Sequence, residues 1–140
     1  MGKLVDSSVI IAAERGHFDL WSRLEQFEEE SLAVSAITCS ELLHGVYRAA
    51  TEAQRSRREA FVESLLARIP VVPFDTIAAR IHARLSAQAA SSGVQLGIHD
   101  LIIAATAMAM NFGVITRDTR SFPRILGLEV VLLTSPSSEE

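Results

Sequence analysis

The sequence predicts an α/β domain in three layers, with a central, mostly parallel sheet flanked by helices. Short apolar runs alternate with stretches of helical periodicity along the chain. Parallel neighbours need crossover connections, and helices supply them. The 140 residues, 49% hydrophobic and 21% charged, are enough for one core and leave little room for a second. Residues 1–134 are therefore read as one domain and residues 135–140 as a frayed C-terminal tail.

In chain order, Lys3, Leu4 and Val5 form a short apolar run that leads through Asp6, Ser7 and Ser8 into a helix over Val9 to Ala13. Phe18, Leu20, Trp21, Leu24 and Phe27 recur at helical spacing, and Leu32 to Val34 follows as a second strand. Thr38 to Ala50 and Glu52 to Ile69 are two helices of a hairpin, the second with arginine and glutamate on one side and Phe61, Leu65 and Leu66 on the other. Val71 to Phe74 is a strand, after which Asp75 or Thr76 caps a helix reaching Ala90. His99 to Met110 is the most apolar helix, with Gly113 placed to end it in a left-handed conformation. Val114 to Thr116 is a buried strand, Arg117 to Phe122 a polar turn, Pro123 to Gly127 a connector and Glu129 to Leu133 the last strand.

Composition excludes several function classes. A net charge of −4 argues against broad capture of nucleic acid but leaves room for a local basic patch. The single cysteine, Cys39, can form neither an internal disulfide nor a four-cysteine zinc site, and the opening residues lack a long apolar stretch. A cytoplasmic location with no membrane span is the expectation, since Leu101 to Met110 is about half the roughly 20 residues a span requires. No phosphate-cradling glycine loop, dinucleotide-binding turn or nucleophile elbow is present. Phosphoryl-accepting domains that place aspartates around Mg²⁺ use a lysine late in the chain, and Lys3 is the only lysine here.

Ligands of open α/β sheets sit beyond the carboxyl ends of the strands. Asp6 and Asp118 occupy those places, Asp100 opens the most apolar helix, and Glu41 lies early in the helix after the second strand. Each has a structural explanation too. Asp6 can be a helix cap, Thr38-Cys39-Ser40-Glu41 fits a capping box, Asp100 complements a helix N-terminus and Asp118 can cap its turn. Convergence would demand more, because two carboxylates about 4 Å apart repel by about 1 kcal/mol in water and about 4 kcal/mol at an effective dielectric of 20. A divalent cation relieves that repulsion, and all-oxygen ligands suit Mg²⁺ or Mn²⁺.

Four segments, Val5 to Ile11, Ser40 to Val46, His99 to Ala107 and Thr116 to Phe122, resemble in order and spacing the motifs of PIN-domain proteins. Among these the chain is most similar to VapC toxins of toxin–antitoxin pairs, over nearly its whole length. The resemblance implies a PIN-like fold and a ribonuclease that hydrolyses RNA phosphodiesters with Mg²⁺ or Mn²⁺. Carried across residue by residue, it makes Asp6, Glu41, Asp100 and Asp118 the catalytic acids. Asp6, Asp100 and Asp118 would be metal ligands, and Ser8 and Thr116 supporting residues. It also implies a homodimer and a small antitoxin that blocks the acidic pocket. The family often carries asparagine where Asp118 stands and an acid near Ser121, so the fourth acid is displaced here by three residues.

Arg117 and Arg120 flank Asp118 and are candidates for holding RNA phosphates. Arg48, Arg55, Arg57 and Arg58 on the helical hairpin are candidates to extend this patch, but they alternate with Glu52 and Glu59 as a solvated face would. His99 adjoins Asp100 and is a candidate proton carrier, but a neighbouring helical residue points about 100° away, which favours a packing or capping role. His44, three residues after Glu41, shares its helix face and is a candidate to touch RNA or a partly buried structural histidine. His17 and His82 have no acidic or cysteine companion at metal-ligand spacing, Cys39 has no paired histidine and reads as packing, and Trp21 and Phe27 read as core. The alternative from another class is a non-catalytic protein-interaction subunit of the same fold, its carboxylates acting only as caps.

Overall fold

A computed structural model describes residues 2–134; the 135–140 tail expected from sequence lies outside the described residues. The sheet has five parallel strands in the order β3-β2-β1-β4-β5, formed by β1 (Gly2–Val5), β2 (Ser31–Ser35), β3 (Val71–Val72), β4 (Gly113–Thr116) and β5 (Val130–Leu132). The helices are α1 (Ser7–Glu14), α2 (Leu20–Leu24), α3 (Ala36–Tyr47), α4 (Glu52–Arg68), α5 (Thr76–Ser91) and α6 (Ile98–Ala109).

Side chains alternate across the sheet with the period of two that a strand dictates. Val5, Val34 and Ile115 join one core with Val9, Ile10, Leu42, Val62 and Leu65 from α1, α3 and α4. Leu4, Ala33 and Val114 join a second core with Leu85, Ile103 and Phe122 on the α5–α6 side. The two cores are the outer seams of the three-layer sandwich.

Chain order reverses beside β1. The strands first grow outward from β1 through β2 to β3, then the chain crosses back to set β4 on the other side of β1. A crevice opens where neighbouring connections leave toward opposite sides, at the carboxyl ends of β1 and β4.

Several boundaries differ from the sequence reading for local reasons. Helix α3 starts at Ala36, two residues before Thr38, because the Ser35 hydroxyl accepts from Thr38 N at 3.1 Å and also donates to the Thr38 hydroxyl. The periodic stretch Phe18 to Phe27 holds only the short α2, capped by Asp19, and then a 3₁₀ turn. The left-handed residue after α6 is Asn111, with φ 61°, whereas Gly113 opens β4. Gly113 is required by space: a Cβ there would stand 2.7 Å from Glu129 Oε1 and 3.0 Å from the Glu129 carbonyl. No helix among the described residues is long and apolar enough to cross a membrane.

Candidate active site

The parallel register creates the centre of the site. Val5 pairs with Ile115, so the next step along both strands sets Asp6 beside Thr116, on the face shared by Leu4 and Val114. Asp6 N donates to Ile115 O at 2.9 Å and carries the pairing one residue past the strand. The Asp6 side chain is 3% exposed and is the N-cap of α1, as one reading of the sequence had it. The cap bond is long, however, at 3.4 Å from Ser8 N. The stronger bonds come from hydroxyls: Ser8 Oγ donates to Asp6 Oδ2 at 2.7 Å and Thr116 Oγ1 at 2.8 Å.

A hydroxyl has one proton to give and can also accept. Those of Ser8 and Thr116 are both given to Asp6, so the 3.3 Å between the two hydroxyls is contact rather than a further bond. Their lone pairs take the backbone N–H groups of Arg117, at 3.0 Å, and Asp118, at 2.9 Å. Two small polar side chains thus tie the loop leaving β4 to the carboxylate leaving β1. Asp118 closes that loop, its Oδ1 accepting from Arg120 N at 2.8 Å.

Asp100 and Glu41 come from the helical layers. Asp100 is in the first turn of α6, which Gly97 precedes without a side-chain cap. A Cβ on Gly97 would stand 3.0 Å from Asp100 Oδ2, so glycine leaves room for that carboxylate. Glu41 lies in the second turn of α3 and caps nothing, which corrects the capping-box reading of Thr38 to Glu41. Its Oε2 lies 2.8 Å from His99 Nδ1, while its Oε1 is buried with no hydrogen-bond partner.

The acids feel one another. Burial pushes the Asp6 carboxyl above its ordinary range and the charge of Glu41 adds to the rise, while bonds from Ser8 and Thr116 oppose it. Asp100 is also raised, first by burial and then by the charges of Asp6, Asp118 and Glu41, with Ser121 pulling the other way. Four carboxylates, from the turn after β1, from α3, from α6 and from the loop after β4, therefore share one neighbourhood. Among the described residues no three Asp, Glu, His or Cys side chains draw together tightly enough to enclose an ion. An all-oxygen set, an orphaned buried carboxylate oxygen and mutually repelling acids suit a divalent ion that keeps part of its water shell.

The other candidates fall at the margins. The backbone of Arg117 is bound by Ser8, and its guanidinium lies 5.9 Å from the Phe18 ring centroid. Arg120 is exposed on the rim. Lys3 sits at the start of β1 and is buried against Glu30 and Glu129, at the opposite strand end from the acids. Burial works against its charge, but the two carboxylates outweigh that and hold its pKa above the ordinary value. The sequence set His99 beside Asp100, as a proton carrier or a capping or packing residue, but did not pair it with Glu41, and gave Ser121 no role. The signal was present for His99, because α3 and α6 bring successive functional residues to the same strand ends.

Comparison with known proteins bears on the family and the fold. The chain matches the PIN domain over residues 3–127. It is similar to Ribonuclease VapC of Rickettsia bellii, 35% identical over 133 residues that cover 94% of this chain and 96% of that protein. With Ribonuclease VapC5 of Mycobacterium tuberculosis it shares 39% identity over 115 residues, 82% of each chain. Among solved structures, VapBC-5 from Mycobacterium tuberculosis superposes with a TM-score of 0.77 at 34% identity, covering 94% of this chain and 98% of that one. VapBC2 from Rickettsia felis, bound to a DNA fragment from its promoter, gives a TM-score of 0.88 over 96% and 100% of the chains. Its 23% identity bears on the fold alone. The chain belongs to the PIN-domain family, among its VapC ribonucleases.

Proposed function

We propose that the protein is an endoribonuclease toxin that hydrolyses RNA phosphodiesters with Mg²⁺ or Mn²⁺ and is inhibited by a cognate antitoxin. The observation carrying this reading is the convergence of Asp6, Glu41, Asp100 and Asp118, expressed in the raised carboxyls of Asp6 and Asp100. The ribonuclease names of the relatives support the activity, and the VapBC assemblies among the similar structures support an antitoxin partner.

Asp6 and Asp100 are the principal ligands in this reading, with Asp118 holding hydration water or a second ion. When bound, the divalent ion supplies Lewis acidity at the scissile phosphate and lowers the pKa of the attacking water. Ser8 and Thr116 keep Asp6 in one orientation. Glu41 Oε1, free of any other donor, accepts from the attacking water. Arg120 and Arg117 offer positive charge to flanking phosphates. Water is the nucleophile and the leaving ribose oxygen takes a proton, so no covalent enzyme intermediate is needed. A homodimer is part of the same proposal.

The test is RNA cleavage by purified protein freed of antitoxin, with added Mg²⁺ or Mn²⁺ and with chelator. Asp6→Asn and Asp100→Asn should each slow cleavage by about 100-fold or more, as expected for removing a preorganised electrostatic group. Cleavage at wild-type rate by both variants would falsify the assignment.

A further inference from the structure

Glu41 and His99 reach the site on different helices and meet there. Asp100 and His99 are adjacent on α6, so their side chains leave the helix about 100° apart. Asp100 shares the neighbourhood of Asp6 and Asp118, while His99 Nδ1 comes within 2.8 Å of Glu41 Oε2 on α3. An ionised carboxylate only accepts, so Nδ1 carries the proton and donates it. One oxygen of Glu41 is held this way, and the other is buried without a partner. A buried acceptor without a donor is costly, and the Glu41 side chain as a whole, 27% exposed, has a way out to solvent. Glutamate has three rotatable side-chain bonds with which to escape that cost, and Glu41 is not tied down by any capping bond. The contact from His99 is what opposes its escape.

We propose that His99 is a positioning residue: its Nδ1–H holds Glu41 Oε2 so that Oε1 stays available to a hydrated divalent cation or to the water that attacks RNA. This rests on the ribonuclease reading above and adds to it a role for a residue outside the acidic set. Partners one step removed from a metal typically change its affinity by about 10–100-fold when lost. His99 itself is 50% exposed on its side chain, so its replacement disturbs little packing.

The experiment measures Mn²⁺ uptake by the full chain, read from loss of the free-ion paramagnetic resonance signal, for wild type, His99→Phe and His99→Asn. Phenylalanine keeps a flat ring without a donor; asparagine returns an N–H near the place of Nδ1. His99→Phe should bind Mn²⁺ about tenfold more weakly and His99→Asn within about threefold of wild type. Melting curves of the three metal-free proteins should coincide, and RNA cleavage should fall in the same order as affinity. Wild-type affinity in His99→Phe, or asparagine no better than phenylalanine, overturns the role of His99 and leaves the ribonuclease reading standing. Failure of the wild type to take up Mn²⁺ overturns the metal reading and this proposal with it.

Discussion

Asp100 is ionised against the preference of its surroundings: burial and three neighbouring carboxylates raise its pKa from the ordinary 3.8. The sign of the consequence follows from proton counting. Between 3.8 and the raised value the folded state binds more protons than the unfolded chain, so this residue's contribution to stability falls as pH rises through that interval. Above it, the ionised carboxylate is a standing cost in the metal-free protein. Asp100→Asn removes that cost. With chelator present the variant should melt a few degrees above wild type at neutral pH, and the advantage should shrink on acidification and vanish near 3.8. Thermal melts of both proteins across that range check it. An Asp100→Asn variant that is less stable than wild type at neutral pH would mean that Asp100 acts as a helix-end charge and little else.

At the scale of elements, the caps separate fold from function. Ser35 and Asp75 both begin helices, and both bind the backbone N–H three residues on. Only the helix started by Ser35 delivers a site residue, Glu41. Loss of either cap should cost about 1 kcal/mol, within the usual range of about 0.5–2. Ser35→Ala should lie at the upper end, because the buried Thr38 hydroxyl also loses its donor. Urea denaturation would measure both, and RNA cleavage should drop several-fold in Ser35→Ala while staying at wild-type level in Asp75→Ala. The same elements show what local sequence reveals. The strands and the apolar α6 were legible, since apolar period and flanking glycine or polar residues are local signals. The start of α3 was not: Ser35 and Thr38 are both acceptable caps, and tertiary burial of Ser35 against Thr38 decides between them. That choice disguised Glu41 as half of a capping box. Similarly, Asn111 and Gly113 both tolerate a left-handed backbone, and the pairing of Gly113 with Lys3 of β1, which is distant in sequence, holds Gly113 in the sheet and leaves the turn to Asn111.

The whole molecule supplies what neither residue nor element contains, the register that aligns β1 with β4 and the reversal of strand order that opens a crevice between them. Asp6 and Asp118 were visible as strand-end acids, but the bond from the Thr116 hydroxyl to Asp6 spans 110 residues of sequence and that from Arg117 N to the Ser8 hydroxyl spans 109. Both follow only from pairing Val5 with Ile115. The acids brought together this way make the metal-free fold bear electrostatic repulsion that the unfolded chain, with its carboxylates dispersed in water, does not share. A ligand that binds only the folded arrangement must then stabilise it by mass action, by about 2.7 kcal/mol at a free concentration 100 times its Kd. For a chain of this length that corresponds to a rise in Tm of roughly 10 °C. Mn²⁺ added to the chelator-treated protein should produce such a rise, and Asp6→Asn and Asp100→Asn should lose most of it. Differential scanning calorimetry over a Mn²⁺ series distinguishes this from general screening, because NaCl at matched ionic strength should give only a small shift in all three proteins. Equal gains from Mn²⁺ and NaCl would show that the acids repel one another without forming a binding site.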